Sequence, residues 1–281
     1  MEEQDFFQAQ DGTKLFYRYY ANPDAKRTMI IVHGHGEHCG RYHKFVRHLE
    51  TQKISLAMYD ARGMGRSGGR EVYIDSLDRF VDDLTAFRDF LRKRHGVNGK
   101  IILFGHSLGG LVAVHWAKRF PEEIACLILS SPCLGLKLSS FLIAFNAMLN
   151  RIHPRLVYAN PVYPPHLSHN PEEIEAYKKD PLIKRKISVR LLAEMITYGR
   201  KIDAEPAFDF PFPVYILMSG LEKVVDREKT KAFFDKVKSP HKEMQIFEGF
   251  YHEIFNELGQ EKVFEVLRQF LNASESFSRL D

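Results

Sequence analysis

The run Ile101-Ile102-Leu103-Phe104 leads directly into Gly105-His106-Ser107-Leu108-Gly109 and then into Gly110-Leu111-Val112-Ala113-Val114-His115-Trp116-Ala117, and no other stretch constrains this chain as strongly. The first four residues read as a buried strand and the last eight carry a helical pattern. A strand that enters a helix through Gly-x-Ser-x-Gly must turn so tightly that the serine takes strained backbone angles and its hydroxyl stands exposed above the turn, which is the geometry of a nucleophile elbow. The glycines answer a steric demand, because side chains there would collide. A chance Gly-x-Ser-x-Gly in a loop lacks the flanking strand and helix; both are legible here.

The rest of the chain repeats that alternation. Lys14-Leu15-Phe16-Tyr17-Arg18-Tyr19-Tyr20 alternates and is aromatic, which predicts an edge strand opened by the turn Gln10-Asp11-Gly12. Residues 28–32 and 54–59 are short apolar runs of the kind buried on both faces of a parallel sheet, and 101–104, 125–130, 214–219 and 243–247 read as further buried strands. Helices are predicted over 41–50 and over 76–95, where Phe80, Leu84, Phe87 and Leu91 recur at helical spacing. Strand and helix in turn give an α/β fold, a mostly parallel sheet with helices on both faces. Between Pro132 and Asp209 no strand is read, and prolines 154, 161, 164, 165, 171 and 181 punctuate several helices. An insertion between two sheet strands should lie over the strand ends where the serine is. Residues 1–131 and 210–281 therefore read as the core and 132–209 as a helical cap. With 281 residues, 44% of them hydrophobic, one domain plus an insertion has ample core. The polar tail from Ala273 onward is expected to fray.

Charge and cysteine content narrow the function classes. Forty basic residues stand against 36 acidic ones with no long run of one sign, which argues against a nucleic-acid surface, while the net +4 allows weak attraction to anionic membranes. Cys39, Cys126 and Cys133 have no metal-ligand spacing and read as reduced thiols of a cytosolic protein. Met1-Glu2-Glu3-Gln4-Asp5 lacks the basic and apolar segments of a secretion signal, and the uncharged stretch 138–150 is shorter than the ~20 residues a membrane span needs.

A serine hydroxyl is a poor nucleophile until a base takes its proton, and the base needs an acid that fixes its tautomer. For an elbow of this kind the chain order is Ser, then Asp or Glu, then His. His252 follows the last predicted strand through Glu248-Gly249-Phe250-Tyr251 and precedes the final helix, a position at the carboxyl end of a parallel strand where sites form. His153, His166 and His169 fall in the cap and could line a pocket; His106 and His115 flank the serine, where packing is the simpler role. The acid should follow the penultimate strand, where Gly220-Leu221-Glu222-Lys223-Val224-Val225-Asp226 supplies two carboxylates. Glu222 comes first after the turn, whereas Asp226 stands where a helix N-cap would; Glu222 is favoured and Asp226 stays open. Acyl transfer also needs donors aimed at the developing oxyanion: the backbone N–H of Leu108, next after the serine, and that of His35 in His33-Gly34-His35-Gly36-Glu37-His38. The histidines of that loop do not have the spacing of a metal site.

These residues resemble the α/β-hydrolase superfamily and, within it, the monoacylglycerol lipase and lysophospholipase group. The resemblance is carried by His33-Gly34-His35-Gly36-Glu37-His38-Cys39-Gly40-Arg41-Tyr42, Asp60-Ala61-Arg62-Gly63-Met64-Gly65-Arg66-Ser67, the elbow, and Gly249-Phe250-Tyr251-His252-Glu253-Ile254. The first is close to the HGxGEHxxRY pattern of monoacylglycerol lipases, and the segment 167–182 also looks like its counterpart there. The resemblance implies an α/β-hydrolase fold, Ser107 as nucleophile, His252 as base, His35 and Leu108 as oxyanion donors, and no metal or organic cofactor. The family usually has Asp where this chain has Glu222, so the extra methylene must be absorbed by the loop.

The cap should set the substrate. Leu134, Leu136, Leu138, Phe141, Leu142, Ile143, Phe145, Met148 and Leu149 make its first segment apolar around most of a helix. One side packing on the core explains part of this; the remainder suits an acyl tunnel or transient contact with a membrane that carries the substrate. The expectation is a serine carboxylic-ester hydrolase acting on a long-chain monoester, a monoacylglycerol or lysophospholipid, in the cytoplasm or peripheral to a membrane. A serine aminopeptidase or thioesterase of the same fold, or a non-catalytic lipid-binding protein, are the alternatives. Dehalogenases and epoxide hydrolases of this fold use Asp as nucleophile and are excluded by Ser107.

Overall fold

The computed structural model describes residues 2–160 and 162–277. In chain order the elements are β1 (Glu2–Gln8), β2 (Lys14–Tyr20), β3 (Arg27–Val32), α1 (His43–His48), β4 (Ile54–Tyr59), α2 (Asp78–His95), β5 (Ile101–His106), α3 (Leu108–Arg119) and β6 (Ile124–Ser130). After them come α4 (Ser140–Ile152), β7 (Val157–Ala159), α5 (Pro171–Lys179), β8 (Lys186–Ser188), α6 (Val189–Ala204) and β9 (Phe208–Asp209). The chain closes with β10 (Val214–Ser219), α7 (Arg227–Lys236), β11 (Val237–Lys238), β12 (Lys242–Phe247) and α8 (Glu261–Phe277).

Eight strands form one sheet in the order β1-β2-β4-β3-β5-β6-β10-β12, antiparallel for the first two pairings and parallel for the rest. Every residue of β4, β5 and β10 is buried, as expected for strands covered on both faces. On one face Phe80, Leu84, Phe87 and Leu91 of α2 pack with Leu111, Val112 and Trp116 of α3. On the other, Phe45 of α1 meets Phe264 of α8 and Phe104 of β5. This is the α/β-hydrolase architecture anticipated from the alternating pattern. All three cysteines are buried free thiols. No helix among the described residues is long and apolar enough to cross a membrane.

Several expectations need correction. Lys14–Tyr20 is the second strand; the edge is β1, whose charged Glu2 and Asp5 are exposed while Phe7 is buried. Charges on an exposed edge discourage pairing with another chain, and they also hide the strand from a search for apolar runs. The last strand, β12, lies at the opposite edge and is largely half-exposed, not buried. Helix 41–50 is a 3₁₀ turn, Cys39–Tyr42, followed by the short α1, and α2 starts at Asp78. The tail from Ala273 does not fray as far as Phe277: α8 runs through it, and buried Ser274 accepts a hydrogen bond from Arg27 at 2.9 Å. Residues 278–281, and Pro161 in the insertion, lie outside the described residues.

The insertion is not free of strands, since β7 and β8 pair antiparallel and β9 pairs with β11. Strands of two or three residues are too short to show a period. Nor is the insertion a detached layer. Leu191, Leu192, Met195, Tyr198 and Ile202 of α6 belong to the same apolar cluster as α2 and α3. The apolar stretch beginning at Leu134 is not one helix either: Leu134 is buried in a bend, Leu136 bridges to Val225, and α4 begins only after the N-cap Ser139. Along α4 only Asn146 is buried, while Phe141, Phe145, Met148 and Ile152 are exposed.

Candidate active site

Ser107 stands at the sharp turn between β5 and α3 with φ 51° and ψ −117°, a conformation that a non-glycine residue adopts only when its surroundings enforce it. The enforcement is visible on both sides. A Cβ on Gly105 would lie 2.5 Å from the Gly109 carbonyl oxygen, and one on Gly109 would lie 2.1 Å from that of Val32. The Ser107 backbone is pinned by donating to the Ser130 carbonyl at 3.0 Å and accepting from Gly110, Leu111 and Cys133. Its side chain opens onto a cavity that His252, His35, Glu37 and His106 also line.

His252 is buried on the loop between β12 and α8, and its Nδ1 lies 2.9 Å from Glu222 Oε2. A carboxylate can only accept, so Nδ1 carries the proton and Nε2 is left as the basic nitrogen. Burial alone would push this imidazole down; the charge and hydrogen bond of Glu222 outweigh burial and hold it above the usual histidine value. Burial likewise works to raise Glu222, yet His252 and the backbone N–H groups of Val224 and Val225 keep it below the usual carboxylate range. Those N–H groups donate to Glu222 Oε1 at 2.8 and 3.2 Å, so the loop curls around the longer side chain and absorbs its extra methylene. Asp226 is elsewhere employed: it is the N-cap of α7 and accepts from the Glu228 N–H at 3.0 Å.

Leu108 is the first residue of α3, where a helix leaves its N–H groups without intrahelical acceptors. Its partner loop, 33–38, is held from several directions. His33 accepts from the Ala61 N–H through Nε2 and donates from Nδ1 to the Gly34 carbonyl, while buried Glu37 accepts from the Gly34 N–H at 2.5 Å and from the Tyr42 hydroxyl at 2.9 Å. His35 donates from Nε2 to the Lys186 carbonyl at 3.0 Å, and burial pushes its imidazole down to about 4, so it is neutral. His38 Nε2 meets Asp180 Oδ2 at 2.8 Å, and the Lys184 N–H donates to the Gly36 carbonyl at 2.7 Å. The loop histidines thus turn to different partners and do not converge. Segment 180–186 of the insertion is bonded to this loop three times.

Behind the cavity runs a network that no single stretch of sequence displays. Arg41 joins Glu37 (3.4 Å) to Glu253 (2.5 Å), the neighbour of His252, and all three are buried or nearly so. Glu257, also buried, accepts from the Tyr251 and His169 N–H groups and from His169 Nδ1, tying the His252 loop to the insertion. The motif containing Glu37 and Arg41 marks the loop, but its partners lie more than 200 residues away. Of the insertion histidines, His166 lines the cavity, His169 is taken by Glu257 and His153 is exposed. His106 packs 5.0 Å from His252 with its Nδ1 at the Ser130 carbonyl, and burial followed by the neighbouring His252 keeps it below the usual value.

Comparison with known proteins adds the following. A family model described as "Serine aminopeptidase, S33" matches residues 23–259. The phospholipase YtpA of Bacillus subtilis is 34% identical over 246 residues, covering 86% of this chain and 93% of that protein. The Escherichia coli protein YnbC is 30% identical over 271 residues; the match takes in 95% of this chain but spans only 46% of that longer protein. Among solved structures, the monoacylglycerol lipase of Paleococcus ferrophilus superimposes with a TM-score of 0.83 at 29% identity, covering 92% of this chain and 99% of that one.

Proposed function

The chain belongs to the α/β-hydrolase family described as serine aminopeptidase S33, in its monoacylglycerol lipase-like group, and from that premise we propose that this hydrolase cleaves long-chain monoacyl esters through a serine-bound acyl intermediate. The observation that carries the reading is the 2.9 Å contact that Glu222 makes with His252, which lines the same cavity as Ser107. In this mechanism Ser107 Oγ attacks the ester carbonyl and its proton passes to His252 Nε2. The backbone N–H groups of Leu108 and His35 stabilise the oxyanion. The protonated imidazole, held by Glu222, then gives its proton to the departing alcohol, and water releases the acid by the same steps. No metal or organic group takes part.

The apolar cavity wall, which includes Leu136, Leu138, Ile187, Leu192 and Met195, supports a long acyl chain. The solvent-facing side of α4, with Phe141, Phe145, Met148 and Ile152, supports transient contact of residues 132–209, acting as a cap, with a lipid surface. An aminopeptidase would need an acidic recess for the free amine. The carboxylates of the cavity, Glu37 and Glu253, are both engaged by Arg41, which disfavours that reading.

A fluorophosphonate probe is expected to label the wild-type protein and not Ser107→Ala, while monoacyl esters of increasing chain length are hydrolysed with a long-chain optimum. Wild-type turnover by Ser107→Ala would sink the nucleophile assignment. An optimum at acetyl esters would sink the acyl tunnel.

A further inference from the structure

The charged residues lining the cavity are unevenly compensated. Glu37 and Glu253 share the buried guanidinium of Arg41, and His252 is held by Glu222. Two cations also line the cavity, Lys137 and Lys223, and both are exposed. Neither has a carboxylate partner among the described residues. Lys137 Nζ donates to the Glu222 backbone carbonyl at 2.6 Å. Lys223 Nζ donates to the Tyr251 hydroxyl at 2.8 Å and sits 4.3 Å from the centre of that ring. Elsewhere Lys44 and Lys229 pair with acidic side chains, while Lys236 and Lys242 donate to backbone carbonyls as Lys137 does.

An ammonium has three donors, and each contact named here uses one of them on a neutral acceptor. Both positive charges are therefore held in place yet not neutralised. The two lysines also border a second, open depression on their outer side, where Asp226 caps α7 and Glu228 pairs with Lys231, so the acidic groups of that side are already engaged. The cavity thus has an apolar wall for a chain, a nucleophile beside it, and a pair of uncompensated cations on residues open to solvent.

We propose that Lys137 and Lys223 form a binding site for the phosphate of a substrate head group, so that the preferred substrate is a monoacyl glycerophosphate. This rests on the ester-hydrolase reading above and assigns the head group that reading left open. A phosphate accepts from several donors at once, and charge-assisted hydrogen bonds are roughly twice as strong as neutral ones. A glycerol head group has no charge for the lysines to compensate. A free amine would be repelled.

The test is the ratio of kcat/KM for 1-oleoylglycerol 3-phosphate to that for 1-oleoylglycerol, measured in mixed micelles of a neutral detergent. The wild-type ratio is expected to exceed one and to fall as salt is raised. The double variant Lys137→Met, Lys223→Met is expected to lower the ratio at least tenfold, and Lys137→Arg, Lys223→Arg to keep it within about threefold of wild type. A ratio below one in the wild type, or one that the methionine pair leaves within twofold, overturns the phosphate site while the hydrolase stands. If the wild type hydrolyses neither ester nor any longer or shorter analogue, the ester-hydrolase reading falls and takes the phosphate site with it.

Discussion

Beside Ser107, Gly105 and Gly109 leave no room for a methyl group, whereas α4 keeps a single buried residue and turns Phe141, Phe145, Met148 and Ile152 to solvent. The first region is specified by backbone contacts made by β5, α3 and β3 together. The second is held by its N-cap, by the hydrogen bonds of Asn146 with Val189 and Tyr158, and by packing of one half-buried side along α6. Ser107 is fixed by crowding, whereas α4 leaves apolar surface uncommitted.

That contrast can be broken at several points. The largest effect is expected at the acid. Glu222→Gln should lower kcat by about 10⁴-fold, by analogy with triads that lose their carboxylate, while Asp226→Asn should retain near wild-type turnover. The sign of the pH effect follows from the origin of the His252 shift. The base must be neutral to take the serine proton, so hydrolysis declines as pH falls through the raised His252 value. Removing the Glu222 charge takes away the main influence opposing burial and leaves only the lesser pull of Glu253 and Glu37, so the acid limb of the kcat/KM profile should move to lower pH. A limb that stays in place, or loss of turnover on changing Asp226 instead, would reverse the assignment.

Gly109→Ala should cost about 2–3 kcal/mol of stability, because its Cβ would sit 2.1 Å from the Val32 carbonyl oxygen and backbone has to move. For a chain of this size thermal denaturation should register a fall of roughly 3–5 °C. The smallest effect belongs to α4. Phe141→Ser with Phe145→Ser should leave the melting temperature within about 2 °C and lower hydrolysis of vesicle-borne ester by roughly three- to tenfold, with a soluble short-chain ester unaffected. Equal losses on both substrates would mean that α4 supports the site itself, and the contrast between the two regions would dissolve.

Much of the candidate site is legible in the sequence because each part is local. The elbow lies within nine residues, Glu222 follows a strand by three, and His252 sits between the last strand and helix. What escaped was carried by contacts across the chain. The Arg41–Glu253 pair spans 212 residues, and His38–Asp180 spans 142; neither separation leaves a period or a spacing to read. The β1 edge escaped because its charges suit a solvent-facing strand, and β7 and β8 because three residues cannot alternate recognisably. The apolar stretch after Cys133 looks like one helix because composition marks apolar residues without marking where the chain turns. Its first part packs beneath α6, where a Cβ on Gly199 would come within 2.7 Å of the Leu134 carbonyl oxygen.

The three bonds from segment 180–186 to the loop around Gly36 mean that residues 132–209 are not a transplantable module. A graft from another hydrolase would have to bring its own carbonyl for His35, its own carboxylate for His38 and its own N–H for Gly36. A replacement chosen only for a differently shaped pocket would be set onto a loop that had lost three of its anchoring bonds.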